Sequence, residues 1–301
     1  MSLLVNWLES LHIDLKISNK CSRKRNLRAT CTTCIEECKF EALTIQEQTI
    51  KVNRERCTSC GECVISCPLS AIEGIPLSRE FDKCSLIYNE DYTPSVKELL
   101  IYKKRKIHSI TIAENSLNQK WESVLNEVNR KLKILGDDPI CVKQKNKEQM
   151  LSRRAFFTSL KKEMKNVARN MAPAKWKLDA EEWMITNYYP DFQFFKVEID
   201  HNKCTLCQVC FAFCSQKVFN AGDSFLRINN EKCVNCTDCR DICPEHAIQI
   251  QVDFQENSKL VENFHKKKCR ACGQLFFSFK QEREKCYFCT GRDPRWLSPY
   301  Q

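Results

Sequence analysis

Short apolar runs separated by polar turns recur along the chain and predict small β-hairpins. The segments LTIQEQTIKVN (residues 43–53) and VFNAGDSFLRIN (218–229) each place an apolar run on both sides of a polar turn. AIEGI (71–75) and AIQIQV (247–252) follow them, and each predicts a closing strand. The pattern therefore predicts two similar small units, each with two short helices and two hairpins.

A longer helical pattern lies between the two units, in SLNQKWESVLNEVNRKLKILG (116–136). Six apolar residues share one helical face, and Gly136 is expected to end the helix. These residues are Leu117, Trp121, Val124, Val128, Leu132 and Leu135. HSITIAE (108–114) and DPICVKQ (138–144) flank the helix as predicted strands, and Thr93-Pro94 is a predicted helix start. The pattern predicts a βαβ insert that serves as a spacer or docking module.

A basic segment follows the insert. SRRAFFTSLKKEMKNVA (152–168) is similar to a twin-arginine export signal, but it lies in mid-chain and continues with charged residues. We therefore interpret it as a basic amphipathic helix with Ser152 as its N-cap. The aromatic stretch YYPDFQFF (188–195) is expected in a core or an interface rather than on a base-stacking platform.

The composition limits the class of protein. The chain has 301 residues, 22 cysteines, only six glycines and a formal charge of +10. It contains no apolar run of about 20 residues and no N-terminal signal pattern, so we expect a cytoplasmic chain with reduced thiols. The sequence motifs GxGxxG, Walker A, HExxH and GxSxG do not occur, which argues against nucleotide-binding loops and common hydrolases.

The cysteines form a duplicated pattern. CTLCQVCFAFCS and CVNCTDCRDICP each have the spacing C-x2-C-x2-C-x3-C, with eighteen residues between the two runs. A shift of 176 positions superposes CTTCIEECKF (31–40) and CTSCGECVISCP (57–68) on these two runs, again with eighteen residues between them. The position that matches Cys204 is Arg28, which cannot ligate iron. The repeat indicates an internal duplication in which one ligand has been replaced.

Residues 196–253 resemble a bacterial-type ferredoxin with two [4Fe-4S] clusters, and the first copy resembles it with the exception of Arg28. In this family, three cysteines of one run and the last cysteine of the other run hold each cluster. The resemblance therefore implies four ligand sets. They are Cys204, Cys207, Cys210 and Cys243; Cys233, Cys236, Cys239 and Cys214; Cys57, Cys60, Cys63 and Cys38; and Cys21, Cys31, Cys34 and Cys67.

The sequence leaves open which residue is the fourth ligand in the set with Cys31, Cys34 and Cys67. Cys21 lies upstream of Cys31 on the side where the missing ligand belongs, and we favour it. Cys84 is the alternative, and a three-ligand [3Fe-4S] centre is a second alternative. Cys84 and Cys141 are otherwise expected to be buried thiols.

A last cysteine group lies near the C-terminus. Cys269 and Cys272 are separated by thirteen residues from Cys286 and Cys289, and both pairs have the CxxC spacing. Two such knuckles around an apolar stretch resemble a zinc ribbon, which implies one Zn2+ held by four thiolates. A rubredoxin-like site with a single iron is the alternative.

Together these patterns predict an α+β protein with five parts. They are a ferredoxin-like unit at 17–80, an α/β insert at 85–150, a basic helical linker at 151–195, a second ferredoxin-like unit at 196–253 and a zinc-ribbon-like module at 262–301. Four [4Fe-4S]2+ clusters with their thiolates carry −2 each, and so does a zinc with four thiolates, so these centres would offset the ten positive charges. Net charge is therefore weak evidence for a nucleic-acid partner.

The resemblance implies transfer of single electrons, with catalysis in a partner such as a subunit of a larger oxidoreductase. The alternative is a redox- or oxygen-sensing regulator that binds nucleic acid or a protein through the ribbon and the basic helices.

Overall fold

The computed structural model describes residues 15–74, 79–113, 116–145 and 183–290. These residues form two compact units. The first unit contains the described residues up to Arg25 and those from Thr32 to Tyr188, and the second contains Asn26–Cys31 and the described residues from Tyr189 onward. The predicted helix at Ser152 lies outside the described residues, and the five-part division stays a prediction.

The ferredoxin-like part of the first unit consists of very short elements. Its helices are Ser22–Arg25 (α1), Thr33–Glu36 (α2) and Glu62–Ser66 (α3), and its strands are Lys16–Ile17 (β1), Leu43–Gln46 (β2), Thr49–Val52 (β3) and Ile72–Glu73 (β4). β2 and β3 form the predicted hairpin, with Leu43 opposite Val52. β1 and β4 pair antiparallel, with Ile17 opposite Ile72. The second predicted hairpin is therefore a pairing of two strands that are distant in sequence.

The sheet of the predicted α/β insert also includes a strand that precedes residue 85. It contains the strands Phe81–Asp82 (β5), Ser85–Ile87 (β6), Ser109–Ile112 (β7) and Cys141–Gln144 (β8), and the helices Val96–Lys104 (α4), Gln119–Ile134 (α5) and Ile185–Tyr188 (α6). The sheet order is β5-β6-β7-β8, in which β6, β7 and β8 run parallel and β5 runs antiparallel. The predicted βαβ unit is thus the second half of a sheet that also includes β5 and β6.

The two long helices of the insert have side-chain caps. Helix α4 begins two residues later than predicted, because the Ser95 side chain accepts a hydrogen bond from the Glu98 N–H. Asn118 caps α5 in the same way, and Gly136 follows its end with φ 69°, as the sequence predicted. The buried face of α5 includes Leu125 instead of Val124, together with Trp121, Val128 and Leu132.

The second unit repeats the ferredoxin-like arrangement with longer outer strands. Its elements are the strands Phe192–Ile199 (β9), Phe219–Ala221 (β10), Phe225–Ile228 (β11), Ile248–Glu256 (β12), Leu260–Asn263 (β13), His265–Lys268 (β14) and Leu275–Ser278 (β15), the helices Val209–Phe213 (α7) and Asp238–Ile242 (α8), and the 3-10 turn Asn230–Lys232. β9 pairs with β12, the hairpin β10-β11 gains β13, and β14 pairs with β15. The two aromatic residues Phe277 and Phe279 pack with Phe264 against the core of this unit.

Among the described residues, no helix is long and apolar enough to cross a membrane.

Candidate metal centres

In the second unit, the structure brings together the first ligand set that the resemblance implies. Cys204, Cys207, Cys210 and Cys243 line one pocket, whose other walls include the apolar side chains of Ile199, Leu226 and Ile248. Burial raises the pKa of Cys210 to about 12, and the thiolates of Cys204, Cys207 and Cys243 contribute in the same direction. Four thiols whose charged forms disfavour one another in an apolar pocket fit a cationic iron centre, which would stabilise all four thiolates.

The thiols of the second ligand set of this unit also lie close enough to influence one another. Burial raises the pKa of Cys236 to about 12, and Cys214 and Cys233 contribute in the same direction. Burial also raises the pKa of Cys239, as do the thiolates of Cys236, Cys233 and Cys214 and that of Cys210 from the first set. Thiols of the two sets therefore lie close enough to influence each other, as Cys210 does with Cys239.

In the first unit, Cys63 has the same surroundings as Cys239, its counterpart 176 positions later. Burial raises the pKa of Cys63, and four thiolates raise it further: Cys34, Cys60, Cys38 and Cys57. Three of these belong to the set implied for Cys63, and Cys34 corresponds to Cys210. The duplication thus extends from the sequence to the geometry of the thiols.

The last cysteine of every run accepts the same backbone hydrogen bond. The Sγ atoms of Cys38, Cys67, Cys214 and Cys243 each accept an N–H from the residue four positions later, at 3.3, 3.2, 3.4 and 3.4 Å. Hydrogen bonds to a ligand sulfur influence the reduction potential of a bound cluster. All four runs thus have the same backbone hydrogen bond at their last cysteine, which is the one that the resemblance assigns to the other set.

The backbone of the first run differs from that of the other three at Thr32, directly after Cys31. In the other runs the residue that precedes the helix of the run is left-handed, with φ 80° at Gly61, 64° at Gln208 and 64° at Thr237. The corresponding Thr32 has φ −126°. The ligand loop therefore lacks its usual turn in the same run in which Arg28 replaces a cysteine.

Cys21 is attached to the Cys67 end of the first unit. Its N–H bonds to the Ser18 carbonyl, and the Ser18 N–H bonds to the Ala71 carbonyl at 2.8 Å. Ala71 in turn donates its N–H to Cys67 Sγ. Cys31 lies on the segment Asn26–Cys31, which groups with the second unit. The four thiols of this set are not shown together by the structure.

Cys84 and Cys141 are exposed, so the prediction that both are buried thiols is wrong. Cys84 lies in the turn between β5 and β6, and Cys141 begins the edge strand β8. Within the described ranges, β8 has no strand on its outer side, and the side chains of all four of its residues are exposed.

The C-terminal cysteines form a compact four-sulfur site. The Sγ atoms of Cys269, Cys272, Cys286 and Cys289 all lie within 4.8 Å of one another, and Cys272 and Cys286 are separated by 3.8 Å. Backbone N–H groups of Cys286 and Cys272 lower the pKa of Cys269 to about 6. The site can therefore hold a metal ion through thiolates.

The fold also places cations beside the ferredoxin cysteines that sequence reasoning had not singled out. Lys97 Nζ donates to the carbonyls of Ile65 at 2.6 Å and Cys67 at 3.3 Å, and Arg79 Nη1 donates to the Cys60 carbonyl at 3.1 Å. No local sequence pattern predicts these contacts. Lys97, for example, lies 30 positions from Cys67 and contacts it only because the insert packs against α3.

Comparison with known families agrees with this geometry. Residues 50–73 match the family described as "4Fe-4S binding domain", and residues 196–244 match the "4Fe-4S dicluster domain". The second match includes all eight cysteines of its unit, whereas the first includes only the complete run from Cys57 to Cys67.

Three curated relatives share parts of the chain. One is a subunit of the Na(+)-translocating ferredoxin:NAD(+) oxidoreductase complex of Acetobacterium woodii, which is 45% identical over 49 residues, or 16% of this chain and 15% of the relative. Another is a subunit of the ion-translocating oxidoreductase complex of Methanosarcina acetivorans, which is 42% identical over 43 residues, or 14% and 16%. An uncharacterized ferredoxin of Methanocaldococcus jannaschii is 30% identical over 106 residues, or 35% and 64%.

The chain therefore spans about a sixth of the length of the two complex subunits and somewhat less than two thirds of the ferredoxin. The matched stretches and the positions of the thiols support two 4Fe-4S ferredoxin-type parts in this chain and an additional C-terminal four-cysteine site.

Proposed function

We propose that the chain carries single electrons along four [4Fe-4S] clusters, as a subunit or partner of a larger oxidoreductase. The main support is that thiols of two different implied sets lie close enough to interact electrostatically in each ferredoxin-like part, as Cys34 does with Cys63 and Cys210 does with Cys239. Adjacent cluster sites let an electron pass between them without a mobile carrier. A [4Fe-4S] cluster held in such a site supplies one-electron reduction and oxidation.

The residues of the chain have separate tasks in this function. The cysteines fix the clusters, with the last cysteine of each run crossing to the other set. The apolar side chains of Ile199, Leu226 and Ile248 line one site and limit the access of water to it. The N–H bonds to Cys38, Cys67, Cys214 and Cys243 hold these thiolates in place.

We assign Cys21 as the fourth ligand of the set with Cys31, Cys34 and Cys67. The hydrogen-bonded connection from Cys21 through Ser18 and Ala71 to Cys67 supports this assignment. Cys84 lies instead in the insert, where its carbonyl accepts the N–H of His108 at 2.9 Å. Thr32 is not left-handed like its counterparts in the other runs, which agrees with a longer ligand loop that begins upstream of Arg28.

We assign Zn2+ to the C-terminal site. A tetrahedral ion with metal–sulfur bonds of about 2.3 Å separates its sulfurs by about 3.8 Å, which is the distance between Cys272 and Cys286 Sγ. Each cysteine of a four-iron cluster binds a different iron, so a cluster needs a wider cage. The close spacing thus supports a single ion, and a single iron is the alternative for metal analysis to exclude.

The relatives in Acetobacterium and Methanosarcina are named as subunits of ion-translocating oxidoreductase complexes. For this chain we propose a redox protein or a catalytic oxidoreductase subunit as the partner. We also propose a reducing compartment such as the cytoplasm, because thiols that bind metal must stay reduced until the metal arrives.

The test is anaerobic titration of the purified protein with dithionite, followed by reoxidation with a soluble electron acceptor. A carrier should lose and regain its visible absorbance over repeated cycles, with spins in electron paramagnetic resonance (EPR) that account for all four clusters. Salt-sensitive retention on heparin together with clusters that do not cycle would favour the regulatory alternative instead.

A further inference from the structure

The insert touches the first ferredoxin-like part through a lysine. Lys97 is the second residue of α4, and its ammonium group donates to the carbonyls of Ile65 and Cys67 at the end of α3. Carbonyl groups at the end of a helix carry partial negative charge and favour a cation. Burial lowers the pKa of Lys97 to about 8, and the Cys67 thiolate opposes this decrease. The two hydrogen bonds thus hold Lys97 Nζ beside Cys67.

A buried ion pair holds α4 in this position. Arg79 Nε lies 3.0 Å from Glu98 Oε1, and both side chains are almost fully buried. Arg79 also donates to the Cys60 carbonyl and stacks over the ring of Tyr92, whose hydroxyl bonds to Glu98. Because Glu98 directly follows Lys97, this contact fixes the start of α4 against the cluster-binding loops.

We propose that Lys97 raises the reduction potential of the cluster that Cys67 ligates, so that the α/β insert sets the driving force for electron transfer through this cluster. Reduction adds one negative charge to the cluster, and a nearby cation stabilises the more negative form. The inference rests on the proposed function and gives the insert a role in it beyond that of a spacer.

The test is a redox titration of the complete protein, monitored by EPR, with Lys97→Gln and with Lys51→Gln as the matched control. Gln removes the charge and keeps a hydrogen-bond donor, and Lys51 is an exposed lysine of β3 in the same unit. The expected result is a lower potential for one N-terminal cluster in Lys97→Gln, with the two C-terminal clusters unchanged as an internal reference. Lys51→Gln should leave all the potentials unchanged.

Unchanged potentials in a Lys97→Gln protein with a full set of clusters would overturn the inference and leave the proposed function intact. Absence of reducible clusters in the unmodified protein would instead refute the proposed function. Lys97→Met, which is similar in size, serves as a second variant if Lys97→Gln loses clusters. If both variants fail to assemble the N-terminal clusters, the lysine is structural and the tuning role is refuted.

Discussion

The hydroxyl group of Tyr287 donates a hydrogen bond to the backbone carbonyl of Cys204. This bond joins the second CxxC pair of the four-cysteine site to the first cysteine of the C-terminal ferredoxin part. The guanidinium group of Arg283 lies 3.7 Å from the centre of the Tyr287 ring, and the Phe279 ring stacks on His201 at 4.2 Å. The C-terminal four-cysteine module is thus packed against the ferredoxin-like part of its own unit.

Tyr287→Phe should lower the free energy of unfolding of the metal-loaded protein by about 1 kcal/mol, because the Cys204 carbonyl loses its partner. Denaturant unfolding under anaerobic conditions measures the change. Phe288→Leu is the control, since Phe288 is 74% exposed and its replacement should change stability by less than about 0.5 kcal/mol. Equal effects of the two substitutions would mean that the hydrogen bond contributes nothing.

Metal analysis tests the number and type of centres. Anaerobically purified protein should contain about sixteen iron and sixteen sulfide per chain, from four [4Fe-4S] clusters, together with about one zinc. An iron content near eight would mean that only one ferredoxin part binds clusters. About seventeen iron without zinc would assign a single iron to Cys269, Cys272, Cys286 and Cys289.

Asn230 tests a contact inside the C-terminal unit. Its fully buried side chain accepts the Val197 N–H of β9 at 3.0 Å. Asn230→Ala should cost roughly 1–3 kcal/mol of unfolding free energy, because a buried N–H is left without its partner. Asn202→Ala, at an exposed position, is the control for the loss of an amide group. A loss confined to Asn202→Ala would contradict the expected role of this contact.

The duplication was predictable because the spacing of the cysteines and of the apolar runs along the chain repeats. Cysteines 176 positions apart specify equivalent thiol sites, and the apolar runs of residues 43–53 and 218–229 specify equivalent hairpins. The left-handed residues also repeat, at Glu41 and Lys217 for example, with φ 50° and 52°. These two residues are not glycines, so composition gives no sign of their conformation, and only their place in the repeat does.

Other features depend on tertiary packing and were not predictable. β5 and β6 have two and three residues, which is too short for a periodic pattern. Lys97 meets Cys67, and Tyr287 meets Cys204, only because separate elements pack together. The exposure of Cys141 follows from its place on an edge strand, which overrides the general tendency of cysteine to be buried.

The buried pair Arg79–Glu98 gives a prediction with a defined pH dependence. Arg79→Leu leaves a buried carboxylate uncompensated and should cost roughly 3–5 kcal/mol at neutral pH. The double variant Arg79→Leu/Glu98→Leu should lose much less. Arg130→Leu, which breaks an exposed pair with Glu127, should cost less than about 1 kcal/mol. Parallel anaerobic unfolding experiments on the unmodified protein and the three variants give these differences.

The sign of the pH effect follows from the surroundings of Glu98. Burial raises the pKa of Glu98, and the nearby Arg79 opposes this rise. Without Arg79 the pKa rises further, so protonation relieves the uncompensated charge. A group with a raised pKa in the folded state contributes stability at low pH and loses it as the pH rises through that pKa. The loss of unfolding free energy in Arg79→Leu, relative to the unmodified protein, should therefore become smaller on mild acidification. A loss that becomes larger would contradict this account.

The last prediction concerns the ligand that replaces the cysteine missing at Arg28. Cys21→Ser should convert or destroy one cluster and leave three by EPR, because Cys21 is tied to the Cys67 end of the first unit. Cys84→Ser should leave four clusters, because Cys84 is exposed in the insert. The reverse pattern would assign Cys84, and four intact clusters in both variants would exclude both residues.

The same variants identify the cluster beside Lys97. The Cys21 cluster should have a higher potential than the cluster held by Cys204, because basic residues lie between two of its ligands in the sequence and Lys97 lies beside Cys67 in the fold. Arg23, Lys24, Arg25 and Arg28 lie between Cys21 and Cys31, and the Lys97 ammonium lies beside Cys67. The EPR signal that Cys21→Ser removes should therefore be the one whose potential falls in Lys97→Gln. If two different signals respond, Cys21 and Cys67 do not ligate the same cluster, and the assigned ligand set is wrong.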